Sequence, residues 1–252
     1  MESYKKMRIE RFVLIDRVLY WEERKTLVVG DLHLGYEESL NHGGVLIPKN
    51  QIRETIRIFE RIFEKCGKLK EIILLGDVKH YFSGILGQEF DDFKKLMVVM
   101  EENLKKNGKI IIIKGNHDNI LEPVIRNFEN VELRDSYFIE DVCFLHGNFL
   151  EFKNLAITKL DNKTKIVIVG HFHPAIILKE GAKQEKYKCF LYGKSKEIKK
   201  ELVIVPSFFP LIEGSDIISE INWKIDISKF NIIVLDDSGW LYDFGKVKNL
   251  KN

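Results

Sequence analysis

Five times along this chain a short run of β-branched and aliphatic residues stops abruptly at a glycine or at a side chain of metal-binding type. Thr26-Leu27-Val28-Val29 runs into Gly30-Asp31-Leu32-His33, and the run at 71–75 meets Gly76-Asp77. The third, at 110–113, ends in Lys114-Gly115-Asn116-His117-Asp118; the fourth, at 142–145, in His146-Gly147; the fifth, at 166–169, in Gly170-His171-Phe172-His173. Apolar runs this short, with no polar alternation, are the pattern of strands covered on both faces. Such strands need helices to cover them, and the gaps supply helices. From Asn50, an N-cap residue just past Pro48, apolar residues recur at Ile52, Ile56, Phe59, Ile62 or Phe63, and Cys66, until Gly67 ends the run. A second helix is expected over 89–106, with Phe93, Leu96, Met97, Met100 and Leu104 on one stripe and Gly108 just beyond. A third is expected over 118–128, where Pro123 fits only the first turn. This alternation predicts an α/β fold.

Past Arg134 strand-like runs crowd together, at 137–139, 142–145, 166–169, 175–178, 188–191, 202–205, 232–235 and 240–242. They read as antiparallel β with hairpins, one of them around Asp237-Ser238-Gly239. No linker or composition break divides the 252 residues, so one domain over 1–252 is expected, with an exposed lysine-rich flap at 179–200 and a frayed tail at 246–252.

Composition narrows the function. Forty Lys and Arg face 38 Asp and Glu, a net charge of +2 that excludes the large basic excess of a protein living on duplex DNA. The three cysteines, Cys66, Cys143 and Cys189, lie too far apart for a thiolate zinc motif and read as reduced core residues. The opening is charged, and nowhere is there the apolar run of about 18 residues that a membrane span needs, so the cytoplasm is the expected compartment.

The chemistry lies with the seven histidines. His33, His117, His146, His171 and His173 each fall within four residues after a buried run, joined there by Asp31, Asp77 and Asn116. Any one alone reads as a loop histidine. Together they converge, because open α/β sheets bind ligands at the carboxyl ends of their strands. Nitrogen and oxygen donors without thiolate suit Mn, Fe, Zn or Ni. Eight such groups are too many for one ion; two ions about 3.5–4 Å apart, sharing a carboxylate, would use them and would clamp an in-line displacement at phosphorus. Two divalent ions less two aspartates and a bridging hydroxide leave one positive charge, which attracts an anionic phosphate.

The blocks D-L-H at 31–33, G-D at 76–77, G-N-H-D at 115–118, H-G at 146–147 and G-H-F-H at 170–173 resemble those of the calcineurin-like metallophosphoesterases, in the same order. The resemblance implies two mixed β-sheets packed as a sandwich flanked by helices. It implies that Asp31, His33 and His173 hold one ion, that Asn116, His146 and His171 hold the other, and that Asp77 bridges. His117 would protonate the leaving oxygen, with Asp118 fixing its tautomer. Gly35, Glu37, Gly44, Pro48 and a G-D-x-x-H block ending at His80 narrow the likeness to the ICC-like phosphoesterases, a group that includes a bacterial nuclease associated with a DNA ligase. Where that group carries leucine-proline-alanine-phenylalanine-glycine, this chain has Val205-Pro206-Ser207-Phe208-Phe209.

The function expected from this likeness is a dinuclear, manganese-favouring phosphodiesterase acting on DNA, RNA or nucleotides through a metal-bridging hydroxide. Asn116 would also touch substrate; His80, three residues after Asp77, reads as a substrate contact, a support for the ligands or a surface-loop histidine, and these stay open. Phosphomonoester hydrolysis is the alternative. A binding scaffold, as in a retromer subunit of the superfamily, is disfavoured because such scaffolds lose the histidine that is His117 here. A nucleic-acid binder with incidental metal is disfavoured by the near-neutral charge. His42 reads as a loop residue. Lys194, Lys196, Lys199 and Lys200 read as a solvated face before a polyanion path, and Phe208, Phe209 and Trp240 as core before base-stacking platforms. Gly193-Lys194-Ser195 imitates the end of a phosphate-binding loop, but that motif needs a glycine where Lys188 stands.

Overall fold

Residues 6–82, 84, 87–148, 160–181, 183–219 and 225–250 are described by a computed structural model of the chain. The first sheet holds seven strands in sequence order: β1 (Arg8–Ile9), β2 (Phe12–Ile15), β3 (Val18–Trp21), β4 (Thr26–Val29), β5 (Leu69–Leu74), β6 (Leu104–Ile113) and β7 (Val131–Arg134). Its first four strands pair antiparallel and the rest parallel. The second sheet is built from β8 (Tyr137–Ile139), β9 (Val142–Leu145), β10 (Ile166–Val169), β11 (Pro174–Glu180), β12 (Lys183–Lys194), β13 (Glu201–Ile204), β14 (Ser215–Asp216), β15 (Asn231–Leu235) and β16 (Leu241–Lys246). Its order is β14-β11-β12-β13-β10-β9-β8, with β15 pairing both β12 and β16. The helices are α1 (Tyr36–His42), α2 (Gln51–Cys66), α3 (Gly87–Glu102) and α4 (Glu122–Ile125).

The layers explain the unbroken apolar runs. Leu27 and Val29 of β4 face a core shared with Phe59, Ile62, Leu96 and Met97 of α2 and α3, while Val28 between them faces a second core with Phe144, Ile168, Phe190 and Val203 of the other sheet. Both faces of β4 are therefore dry, as the sequence requires. A third core, with Cys143, Val167 and Leu202, lies on the far face of the second sheet. The two mixed sheets and covering helices are the expected α/β sandwich.

Several expectations change in detail. β9, β10 and β13 run parallel to one another, not antiparallel. Their cores are apolar on both faces, which suits parallel pairing better than the hairpin reading. The second helix stops at Glu102, and Leu104 begins β6, where it pairs with Leu69; Asn103 closes the helix by donating from Nδ2 to Val99 O at 2.8 Å. The third helix shrinks to the single turn α4. The proposed flap is only in part exposed: Cys189, Phe190 and Leu191 of β12 are fully buried between β13 and β15. The tail is tied down through Lys248, whose amide donates to Ser228 O at 3.0 Å; 251–252 lie outside the described residues. The strands β1–β3 and helix α1 were not expected from the sequence. Among the described residues no helix is long and apolar enough to cross a membrane.

The three cysteines are free and buried, as expected. Burial pushes the Cys66 and Cys143 thiols up to about 12 and raises Cys189 well above the ordinary thiol range. Against an unfolded value of about 8.5, a raised folded pKa contributes stability that is present below that pH and fades as pH climbs toward the folded value. At neutral pH a disulfide reagent should therefore leave the folded chain untouched and find all three thiols once urea is added. Prompt reaction of any thiol in the native state contradicts this.

Candidate metal centre

The ends of β4, β5, β6, β9 and β10 all reach one rim of the sandwich, and the loops leaving them are stitched together. Leu32 and His33 donate their amides to Asp77 O at 3.1 and 2.8 Å, and His117 donates its amide to Asp77 Oδ1 at 2.9 Å. Gly115 is required here, since a Cβ would stand 2.2 Å from Asp77 Oδ1. Turning each side chain inward forces the backbone into the left-handed region at His33 (φ 44°), Asp77 (46°), His171 (68°) and His173 (44°). Strain of this kind in non-glycine residues gathers at functional sites.

Three groups result among the described residues, each with donor atoms within 4.8 Å of one another: Asp31, His33 and His173; Asp77, His146 and His171; and His33, His80 and His117, which has no carboxylate. In the first, His173 Nε2 lies 3.3 Å from Asp31 Oδ1 and 3.3 Å from His33 Nε2. Both oxygens of the buried Asp31 carboxylate accept the His171 amide, at 3.1 and 3.0 Å. In the second, His146 Nε2 is 3.0 Å from His171 Nδ1, 2.9 Å from Asn116 Oδ1 and 3.4 Å from Asp77 Oδ2. Asp77 Oδ2 also stands 3.9 Å from His33 Nε2, which places this carboxylate between the sets. His146 Nδ1 donates to Leu75 O at 2.8 Å and so leaves Nε2 free as a ligand.

Divalent cations fit this donor set. Imidazole nitrogens are aimed at one another, with carboxylate and amide oxygens interleaved and no thiol among them. Burial works to raise the Asp31 carboxyl, but His173, His146 and His33 beside it more than offset that, and it sits below the ordinary carboxylate range. Burial, then the neighbouring His173, pushes His33 down to about 3 and keeps it neutral. His146 goes the other way, to about 9: burial would lower it, but the hydrogen bond to Asp77 and the nearby Asp31 prevail.

His117 belongs to neither carboxylate-bearing set and groups only with His33 and His80. Its Nδ1 donates to His80 O at 2.5 Å, so Nε2 is turned inward, 3.9 Å from Asp77 Oδ2. The orienting partner is thus the His80 carbonyl, not Asp118. Asp118 is buried and spends its carboxylate on backbone amides, accepting from Val78 and Lys79 at 3.0 and 3.3 Å and from Gly115 at 2.9 Å. It ties the β5 and β6 loops together. Burial, with Asp77 adding to it, raises its carboxyl to about 6.

His80 is brought to the rim. It stacks on His117 with ring centroids 5.3 Å apart, and its Nδ1 is 3.4 Å from His33 Nδ1. Burial, then His117, lowers it to about 4. Two residues missed in the sequence support it. The buried Glu89 accepts the His80 and Tyr81 amides at 3.0 and 2.5 Å, and the Lys79 ammonium donates to Tyr81 O. Glu89 left a legible signal, a carboxylate four residues before Phe93 on the buried stripe of α3. His42 is exposed at the end of α1, and Phe208 and Phe209 are buried while Trp240 is half exposed. Lys196 pairs with Asp226 at 2.6 Å, which favours the solvated-face reading of that cluster.

The calcineurin-like phosphoesterase family model matches residues 24–235. The chain belongs to this family. Its fold is similar to that of the Pseudomonas putida nuclease MPE, with a TM-score of 0.64 at 18% identity over 96% of this chain and 100% of that one. Weaker likenesses are a Vps29 double mutant from Entamoeba histolytica, with a TM-score of 0.36 at 15% identity over 87% and 99% of the two chains, and a predicted phosphoesterase from Streptococcus pneumoniae, at 0.35 and 16% over 88% and 97%. No curated protein matches the chain. Calcineurin-like phosphoesterases are hydrolases that use divalent metals, and the two His/Asp sets are where such ions would be held.

Proposed function

We propose that the chain is a dinuclear, manganese-favouring phosphodiesterase acting on nucleic acid or nucleotides. Asp31, His33 and His173 would hold one ion and Asn116, His146 and His171 the other, with Asp77 shared. When bound, the two cations would neutralise the phosphoryl oxygens and acidify the water that attacks phosphorus. The observation that carries the reading is His117. It stands outside the two carboxylate-bearing sets and groups only with His33 and His80, its Nδ1 proton is committed to the His80 carbonyl, and its Nε2 is left to deliver a proton at the rim. A positioned acid matters most when the leaving group is a poor one such as the sugar alkoxide of a nucleic acid. His80, stacked against it, would meet the departing group, and Asn116 Oδ1 the phosphoryl side. The similarly folded Pseudomonas putida protein is a nuclease, which supports a diester over a monoester.

Turnover of bis(p-nitrophenyl) phosphate against p-nitrophenyl phosphate in Mn²⁺ tests the ordering. The diester should be the better substrate by kcat/KM, and a single-stranded oligonucleotide should be cut under the same conditions. A strong preference for the monoester overturns the ordering and leaves the metal chemistry standing.

A further inference from the structure

The segment 205–209 is used by nothing above, yet it presses on the metal centre. It leaves β13 in the second sheet and lies against the end of β4 in the first. Phe208 and Phe209 donate their amides to Asp31 O at 2.9 and 3.3 Å, and the Ser207 hydroxyl donates to the same oxygen at 3.2 Å. The approach is close enough that a Cβ on Gly30 would stand 2.2 Å from Pro206 O.

A loop that spends its amides on Asp31 must settle its own carbonyls elsewhere. Two basic side chains settle three in a row. Lys188 Nζ, from β12, donates to Ser207 O at 2.8 Å and to Phe209 O. Arg17, from the turn between β2 and β3, donates to Phe208 O at 3.3 Å and is itself held by Asp16, Nε to Oδ1, at 2.8 Å. One grip comes from each sheet. That matters because the Asp31–His33–His173 set also spans the sheets, with two ligands on the first and His173 on the second.

We propose that Lys188 and Arg17 are positioning residues: by gripping the carbonyls of Ser207, Phe208 and Phe209 they fix the Asp31 backbone and, through it, the spacing of the Asp31–His33–His173 cation site. This rests on the metal reading above. Supporting contacts around metal ligands commonly change affinity by about 10- to 100-fold when removed. Burial, with Arg17 beside it, lowers Lys188 well below the ordinary lysine range, so the grip rests on its N–H donors, aimed at two carbonyls, rather than on its charge; an apolar residue of nearly equal length at 188 removes those donors while keeping most of the volume.

The test is calorimetric titration of the metal-stripped chain with MnCl₂. Wild type should bind in two steps, and His173→Ala should lose one of them. Lys188→Met should weaken that same step about ten-fold or more and leave the other nearly unchanged, Lys188→Arg should recover part of the loss, and Arg17→Met should weaken the same step less. Arg17→Met also carries the test if Lys188→Met fails to fold. Wild-type affinities in a folded Lys188→Met, or an equal fall in both steps, overturn the clamp alone. A wild-type chain that binds no Mn²⁺ overturns the metal reading and the clamp with it.

Discussion

Replacing His117 by alanine is expected to slow cleavage of an oligonucleotide by about 10²- to 10⁴-fold while hardly touching bis(p-nitrophenyl) phosphate. The two substrates share the bond broken and differ in what departs. A sugar alkoxide is too basic to leave unprotonated, whereas p-nitrophenolate leaves as the anion, so only the first needs the acid. As the proposed acid, His117 would act through one nitrogen. Its Nδ1 cannot serve because it is bound to His80 O, and Nε2 points into the centre. Its amide, held by Asp77 Oδ1, fixes the backbone from which the ring projects. An alanine there removes the proton source and leaves both ligand sets whole, so Mn²⁺ titration of the variant should match wild type. Equal losses on both substrates would assign His117 to metal binding or substrate placement instead.

Much of this centre could be read from the sequence because both of its causes are local. A strand dry on both faces announces itself as an unbroken apolar run, and the ligand follows within four residues, so the ends of β4, β5, β6, β9 and β10 and their side chains could be named together. What stayed hidden depends on distant partners. The family resemblance implied Asp118 as the group orienting His117, but its carboxylate turns to three amides and the His80 carbonyl takes its place. Lys188 and Arg17 reach Asp31 only through a third segment, from strands that nothing local ties to it. The β2–β3 hairpin was not read from the sequence. Phe12–Ile15 and Val18–Trp21 are apolar runs, but the turn between them uses Asp16 at φ 53° rather than a glycine, which removes the usual hairpin signal. The direction of β9, β10 and β13 was missed because short spacing suggested hairpins, while parallel pairing depends on crossovers that spacing does not reveal.

Asp77→Asn should be the most damaging single change, lowering kcat/KM for every phosphoester by at least about 10³-fold, some 4 kcal/mol of transition-state stabilisation. The substitution keeps shape and can keep the acceptor for the His117 amide, so the loop has reason to stay in place. What it changes is the other oxygen. Asp77 Oδ2 faces His146 Nε2 at 3.4 Å and both His33 Nε2 and His117 Nε2 at 3.9 Å, so one atom serves both sides of the centre. An amide there either presents N–H donors to imidazoles that need a cation or offers an uncharged oxygen to two ions at once. Either way the charge that would hold the proposed pair together is gone. Thermal unfolding separates this from simple misfolding. Wild type in Mn²⁺ at a hundredfold excess over Kd gains about 2.7 kcal/mol for each site that binds only the folded state, and its Tm rises accordingly. Asp77→Asn should melt cooperatively and show little of that rise, whereas His117→Ala should show all of it. An Asp77→Asn protein that keeps the full Mn²⁺-dependent rise, or a rate within ten-fold of wild type, would mean that the two sets do not share this carboxylate.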